Sequence, residues 1–180
     1  MAKRLNEYRD EAYAIAVNHG WHDEEHSDEH WKCLIISELM EAVAANRNSW
    51  YRADVEGYED LIARGTDPKE AFERRIKDTV DDELADACIR IFDLAGLRNV
   101  TLWVDHLYGK SVTEDKFFTE NIYAICQKIL LYNNSLYICL NQTLKQIFRL
   151  AKIEKIDLYK SIELKMEYNK LREYKHGKKY

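Results

Sequence analysis

Asp82-Glu83-Leu84-Ala85-Asp86-Ala87-Cys88-Ile89-Arg90-Ile91-Phe92-Asp93-Leu94-Ala95 is the stretch that decides the fold of this 180-residue chain. Glu83, Asp86, Arg90 and Asp93 recur at spacings of three, four and three, which makes one stripe on a helix and no pattern on a strand. The remaining positions are Leu, Ala, Cys, Ile and Phe, so the helix is predicted to be buried on its other sides. A second stretch of the same kind is Cys33-Leu34-Ile35-Ile36-Ser37-Glu38-Leu39-Met40-Glu41-Ala42-Val43-Ala44, with Glu38 and Glu41 three residues apart. Two largely apolar helices that each carry a carboxylate pair point to an all-α fold, a helical bundle.

Composition agrees. One proline and six glycines leave little turn chemistry for a β fold. A 46% hydrophobic and 33% charged content fits a folded chain with a real core, read as a single all-α domain over residues 1–180. A net charge of −5 argues against general nucleic-acid binding. No apolar run approaches the roughly 20 residues of a membrane span, and Met1 to Asp10 does not read as a signal peptide. The four cysteines, Cys33, Cys88, Cys126 and Cys139, lie in apolar helical patterns without C-x-x-C spacing, which predicts reduced, buried thiols and a cytoplasmic location.

Along the chain, helices are predicted over 3–18, with Gly20 as a stop, and from a Ser27 cap to about Asn46. An excursion over 47–66 carries a short helix at about 54–64. Asp67-Pro68-Lys69-Glu70 opens another, and Thr79 is placed to cap afresh before a run to Ala95 that Gly96 ends. After an irregular stretch near 97–114, helices fit 115–132 and 135–152, joined by Asn133-Asn134-Ser135. A last helix from an Asp157 cap reaches about Tyr174.

The acid pairs admit two readings. Each stripe is a solvated edge, or the two helices pack antiparallel and direct four carboxylates into an interior that only a cation makes tolerable. Two such helices in one chain favour the second reading. Oxygen ligands without His or Cys suit Mg²⁺, with Mn²⁺ an alternative, and no E-x-x-H pair supports a di-iron bundle. In the carboxyl-terminal stretch from Lys165 to Lys179, six Lys/Arg face two acids, and Lys165, Asn169 and Arg172 share a face at i, i+4 and i+7. They are candidates for phosphate oxygens, or a solvated basic tail. Trp31, seven residues before Glu38, is a candidate to stack on a base or a core tryptophan. His22, His26 and His30 read as part of an acid-rich capping loop rather than a metal site.

Ser37-Glu38-Leu39-Met40-Glu41-Ala42 followed by Asp82-Glu83-Leu84-Ala85-Asp86 resembles the E-x-x-E … E-x-x-D signature of the MazG-like, all-α nucleoside triphosphate pyrophosphohydrolases. The ending Lys165-Met166-x-x-Asn169-x-x-Arg172-x-Tyr174-Lys175-His176-Gly177-Lys178-Lys179 resembles the closing segment of one branch of that superfamily. The likeness runs over roughly 20–46, 77–98 and 157–180; segments 47–76 and 99–156 diverge. It implies a bundle of the all-α NTP pyrophosphatase type with an inserted helical segment and extra C-terminal helices. It further implies Mg²⁺ on Glu38, Glu41, Glu83 and Asp86, phosphate contacts from Lys165, Asn169 and Arg172, hydrolysis of (d)NTP to (d)NMP and pyrophosphate, and a homodimer or dimer of dimers. Glu38 is the first candidate for the proton acceptor.

Two features depart from the family pattern. Ser37 stands where the common motif has a first acid, and 41 residues separate Glu41 from Glu83, more than in compact members. The inserted 47–76, with Trp50, Tyr51 and Tyr58, either covers the pocket or builds an oligomer contact. Rival readings are a phosphoribosyl-ATP-type pyrophosphohydrolase and a catalytically silent helical partner protein that binds nucleotide or metal.

Overall fold

A computed structural model describes residues 5–48, 51–103, 111–132 and 135–177. Among the described residues every α-helix or strand element is helical, as the sequence predicts: α1 (Leu5–Asn18), α2 (Asp28–Arg47), α3 (Val55–Ala63), α4 (Pro68–Arg75), α5 (Val80–Leu97), α6 (Phe118–Leu131), α7 (Leu136–Ile153) and α8 (Leu158–Lys170). Among them, no helix is long and apolar enough to cross a membrane. The caps are those the sequence offers. Ser27, Asp54, Asp67, Thr79, Ser135 and Asp157 each accept a backbone N–H of the following first turn through the side chain. Residues Asn133 and Asn134, Trp50, and Lys178 and Lys179 lie outside the described residues.

α5 is the centre of the bundle and packs against α1, α2, α7 and α8. Leu84, Ala85, Ala87, Cys88, Ile91, Phe92, Leu94 and Ala95 are fully buried, and each large side chain among them contributes about 1.5–3 kcal/mol on leaving water. α2 runs antiparallel to α5. Arg98 Nε donates to Asp28 Oδ1 (2.8 Å) at one end, and Arg90 Nε donates to Glu38 Oε1 (3.0 Å) further along. α2 is less enclosed than its composition suggests: Cys33, Ser37, Met40, Glu41 and Ala44 are exposed on its outer side. The expectation of four buried thiols therefore holds for Cys88 and Cys139, is met in part by the half-buried Cys126, and fails for Cys33, which faces outward because α5 and α6 cover only the other faces of α2.

Gly96 does not stop α5. The helix passes through it to Leu97, and Asn99 adopts the left-handed conformation that ends the turn (φ 52°). Gly96 serves packing instead, because a β-carbon there would stand 2.5 Å from Tyr13 Cβ on α1. α8 also ends earlier than expected, at Lys170. Leu171 and Arg172 donate to carbonyls three residues back, and a 3₁₀ turn over Tyr174–Gly177 follows. Lys175 N–H donates to His19 O (2.9 Å), which fastens this tail beside the end of α1.

The divergent segments pack by two devices. α3 and α4 pair, and α4 lies on α8 through a small second core of Phe72, Ile76 and Tyr168, whose Phe72 and Tyr168 rings stack at 4.3 Å. The 47–76 excursion thus braces α8 from outside. On α7, buried amides bind the backbone on either side of 104–110. Asn141 Oδ1 accepts from Trp103 N–H (2.7 Å), and Gln146 Oε1 accepts from Ser111 and Val112 N–H (3.3 and 3.2 Å).

Gly96→Ala is expected to destabilise the fold by about 1–3 kcal/mol through overpacking against Tyr13. Urea denaturation measures it, and an unchanged midpoint would contradict the close approach of α1 to α5.

Candidate metal and phosphate site

The stripe on α5 faces a cavity of about 280 Å³, and Glu83, Asp86, Arg90 and Asp93 all line it. α2 adds Glu38 and Glu41, α8 adds Lys165, Asn169 and Arg172, and the turn before α5 adds Lys77 and Asp78. The apolar wall is Ala12, Ile15 and Ala16 of α1 with Trp21 and Ile89. Seven of the eight residues singled out from sequence therefore share one cavity. Trp31 does not: it is buried in the main core and absent from the lining, while Trp21 supplies the cavity's indole. Trp31 Nε1 is buried without a hydrogen-bond partner among the described residues.

Carboxylate oxygens of Glu38, Glu83 and Asp86 all lie within 4.8 Å of one another. A second trio within the same distance is Asp78, Asp82 and Glu83, so Glu83 belongs to both. Glu41 stands apart from the first trio. It is exposed at the rim, where Ser37 Oγ donates to its Oε1 at 3.4 Å.

Two cations offset these charges, Lys165 buried and Arg90 half-buried. Lys165, 4% exposed, places Nζ 2.8 Å from Asp82 Oδ1 and 2.8 Å from Asp86 Oδ2. Arg90 holds Glu38 and lies over the Trp21 ring at 5.2 Å. Lys165, read from sequence as a candidate phosphate contact, has its ammonium between two carboxylates here, and through this contact it positions Asp86. Arg172 keeps its guanidinium near the Tyr168 ring (5.6 Å) and makes no ion pair among the described residues. It and Lys77, 3.5 Å from Asp78, are the cavity's more available cations.

The electrostatics follow from burial. Desolvation, then the neighbouring Asp82 and Asp86, push the Glu83 carboxyl up to about 9. The Glu83 carboxyl has no hydrogen-bond or ion-pair partner among the described residues. Desolvation raises Asp82 to about 6 against the opposing pull of Lys165. Glu38 is raised by burial and by Asp86, with Arg90 opposing. Burial alone would lower Lys165, but Asp86 and Asp82 outweigh it and its pKa rises. One more polar atom is uncompensated: Asn169 Oδ1 is buried in the cavity wall with no hydrogen-bond partner. The converging trio, which includes the partnerless Glu83, and the orphaned amide oxygen of Asn169 share this cavity, and all are oxygen donors of the type that hard divalent cations take.

Lys77, Asp78, Arg90, Asp93 and Trp21 were not assigned to the site from sequence. Arg90 and Asp93 were visible as members of the stripe. Asp78 carries only a local sign, the capping Thr79 beside it, and adopts a left-handed conformation (φ 62°) that brings it to the rim.

Glu83 binds a proton in the folded state between about pH 4.5 and 9, where the unfolded chain has released it. Stability of the metal-free protein therefore falls as pH climbs through that window. Glu83→Gln removes this group's share of the dependence, leaving the smaller one of Asp82 and Glu38, and stabilises the metal-free protein at pH 7 by up to about 3 kcal/mol. Thermal denaturation from pH 5 to 9 measures this; a variant less stable than the parent at pH 8 would contradict it.

Comparison with protein-family models, with curated proteins and with solved structures returns no match to this chain.

Proposed function

We propose that this protein is a Mg²⁺-dependent nucleotide pyrophosphohydrolase that cleaves (d)NTP to (d)NMP and pyrophosphate. The observation that carries the reading is the meeting, in one cavity, of the Glu38–Glu83–Asp86 oxygen trio with Asn169 and Arg172 of the basic tail. The same residues carry the resemblance of both acid motifs and the tail to the MazG-like superfamily.

Glu38, Glu83 and Asp86 would hold the ion, with Asn169 Oδ1 and Glu41 as further oxygens at its edge. The ion, when bound, neutralises phosphate charge and makes water more acidic. The protein's residues do the rest. Lys165 fixes Asp86 through its 2.8 Å contact, and Arg90 fixes Glu38 at 3.0 Å, so the carboxylates are pre-arranged before substrate arrives. Arg172 and Lys77 face the phosphates from the rim. Water attacks the α-phosphorus, the bond from that phosphorus to the bridging oxygen breaks, and pyrophosphate leaves. We assign Glu38 to accept the water's proton.

The homo-oligomer belongs to the same proposal. Phe117, just before α6, and Tyr123, Leu130 and Leu131 on it are exposed, with Phe117 79% and Leu131 72% accessible, and we assign this side to a second copy. Light scattering at working concentration is expected to give a dimer or larger; a monomer mass removes this part.

The catalytic reading is tested by pyrophosphate release from canonical and modified (d)NTPs with and without Mg²⁺. Release is expected only with the metal, and Glu38→Gln and Asp86→Asn should each reduce it more than about 100-fold. No release from any triphosphate would refute the reading.

A further inference from the structure

Arg172 lines the cavity, yet it lies beyond the end of α8 at Lys170. The hydrogen-bond ladder of the helix fixes Lys165 and Asn169. It reaches Arg172 only through one closing contact, from Arg172 N–H to Asn169 O at 3.2 Å. Burial does not hold the residues that follow either. Leu171 is 51% and Tyr174 61% exposed, and no described side chain from 171 to 177 is buried. What places this tail is the turn after α1.

The His19 ring bridges two carbonyls, with Nδ1 2.8 Å from Ile15 O and Nε2 3.1 Å from Arg172 O. An imidazole donates through one nitrogen when neutral and through both when charged. His19 O in turn accepts Lys175 N–H at 2.9 Å, so one residue grips the tail on both sides of Tyr174. Tyr174 lays its ring on Gly20, where a β-carbon would overlap the ring edge, and its hydroxyl donates to Asp23 Oδ2. Gly20 sits at φ 76°, so both its own conformation and the ring against it call for glycine. Lys175 is held at φ 44°, a conformation that a lysine keeps only where its surroundings over-determine it.

We propose that the turn after α1 is a latch for the carboxyl-terminal tail, and that His19 and Tyr174 are positioning residues that set Arg172 against the phosphates of the substrate. The inference rests on the pyrophosphohydrolase reading above and names what fixes its phosphate contact. The latch contacts are polar and lie at the surface, the kind that open locally while a core stays folded. Undocked, the tail lets Arg172 sample positions away from the rim. Docked, it holds the guanidinium in place before substrate arrives, so less freedom is lost on binding.

The test measures kcat/KM for dATP, dCTP, dGTP and dTTP with Mg²⁺ in the parent, in His19→Ala, Tyr174→Ala and Arg172→Ala, and in Arg172→Ala combined with each of the other two. Calorimetric Mn²⁺ binding is measured alongside. Each single variant is expected to lose roughly 10- to 100-fold in kcat/KM and to bind Mn²⁺ as the parent does. The double variants should be no worse than Arg172→Ala alone, because residues that act through one group are not additive. His19→Gln, whose amide N–H reaches toward Arg172 O as Nε2 does, should recover most of what His19→Ala loses. Losses that multiply in the double variants overturn this inference and leave the pyrophosphohydrolase reading standing. So does full activity in Tyr174→Ala or Arg172→Ala, or weakened Mn²⁺ binding in Tyr174→Ala. No turnover by the parent overturns both. If His19→Ala fails to fold, Tyr174→Ala, which removes only an exposed side chain, decides through its own pairing with Arg172→Ala.

Discussion

The burial of carboxylates against one buried and one half-buried cation is the constraint around which this bundle is arranged. Asp82, Glu83 and Asp86 lie on the first turns of the central helix, where water is largely excluded. Lys165 from α8 and Arg90 from α5 itself supply the positive charge that makes the arrangement tolerable. Breaking such a buried pair by removing one partner costs about 3–5 kcal/mol, because the other charge is left without compensation. The position of α8 therefore follows from electrostatics as well as packing. Lys165 ties it to α5, and the Phe72–Tyr168 stack holds it from the far side. The residues that hold α8 in place also hold Asn169 and Arg172 over the acids.

Compensation is incomplete, and the residue is informative. Two cations face Glu38, Asp82, Asp86 and the raised acid Glu83, and a buried amide oxygen of Asn169 goes unmatched. Native interiors satisfy nearly all their buried polar groups, so an unsatisfied cluster opening into a cavity calls for an explanation, and a bound ligand is the one we propose. On the reading proposed above, a divalent cation would supply charge for the carboxylates and an electrophile for the oxygens.

Much of this was legible in the sequence because helices encode geometry in spacing. Glu83, Asp86, Arg90 and Asp93 at intervals of three and four had to share a face, and so did Lys165, Asn169 and Arg172. The capping residues Ser27, Asp67, Thr79 and Asp157 marked helix starts because their side chains serve the first-turn N–H groups. What spacing cannot show is which partner a side chain meets across helices. Lys165 reads as a surface cation in a basic tail, yet it is buried because α8 lands on the acid face of α5. Trp31 and Trp21 are ten residues apart and similar in kind; only the turn after α1 decides that Trp21 reaches the cavity while Trp31 enters the core. Gly96 looked like a terminator, and its actual role depends on how closely α1 approaches.

The most direct test of the central claim is proton release on titrating Mg²⁺ or Mn²⁺ into lightly buffered protein near pH 7.5. An ion seated on Glu83 must displace the proton that burial holds there. About one proton released per ion bound is expected, and none in Glu83→Gln. Saturable binding of the ion without proton release, or no binding at all, would contradict the assignment of the buried acids as a metal site.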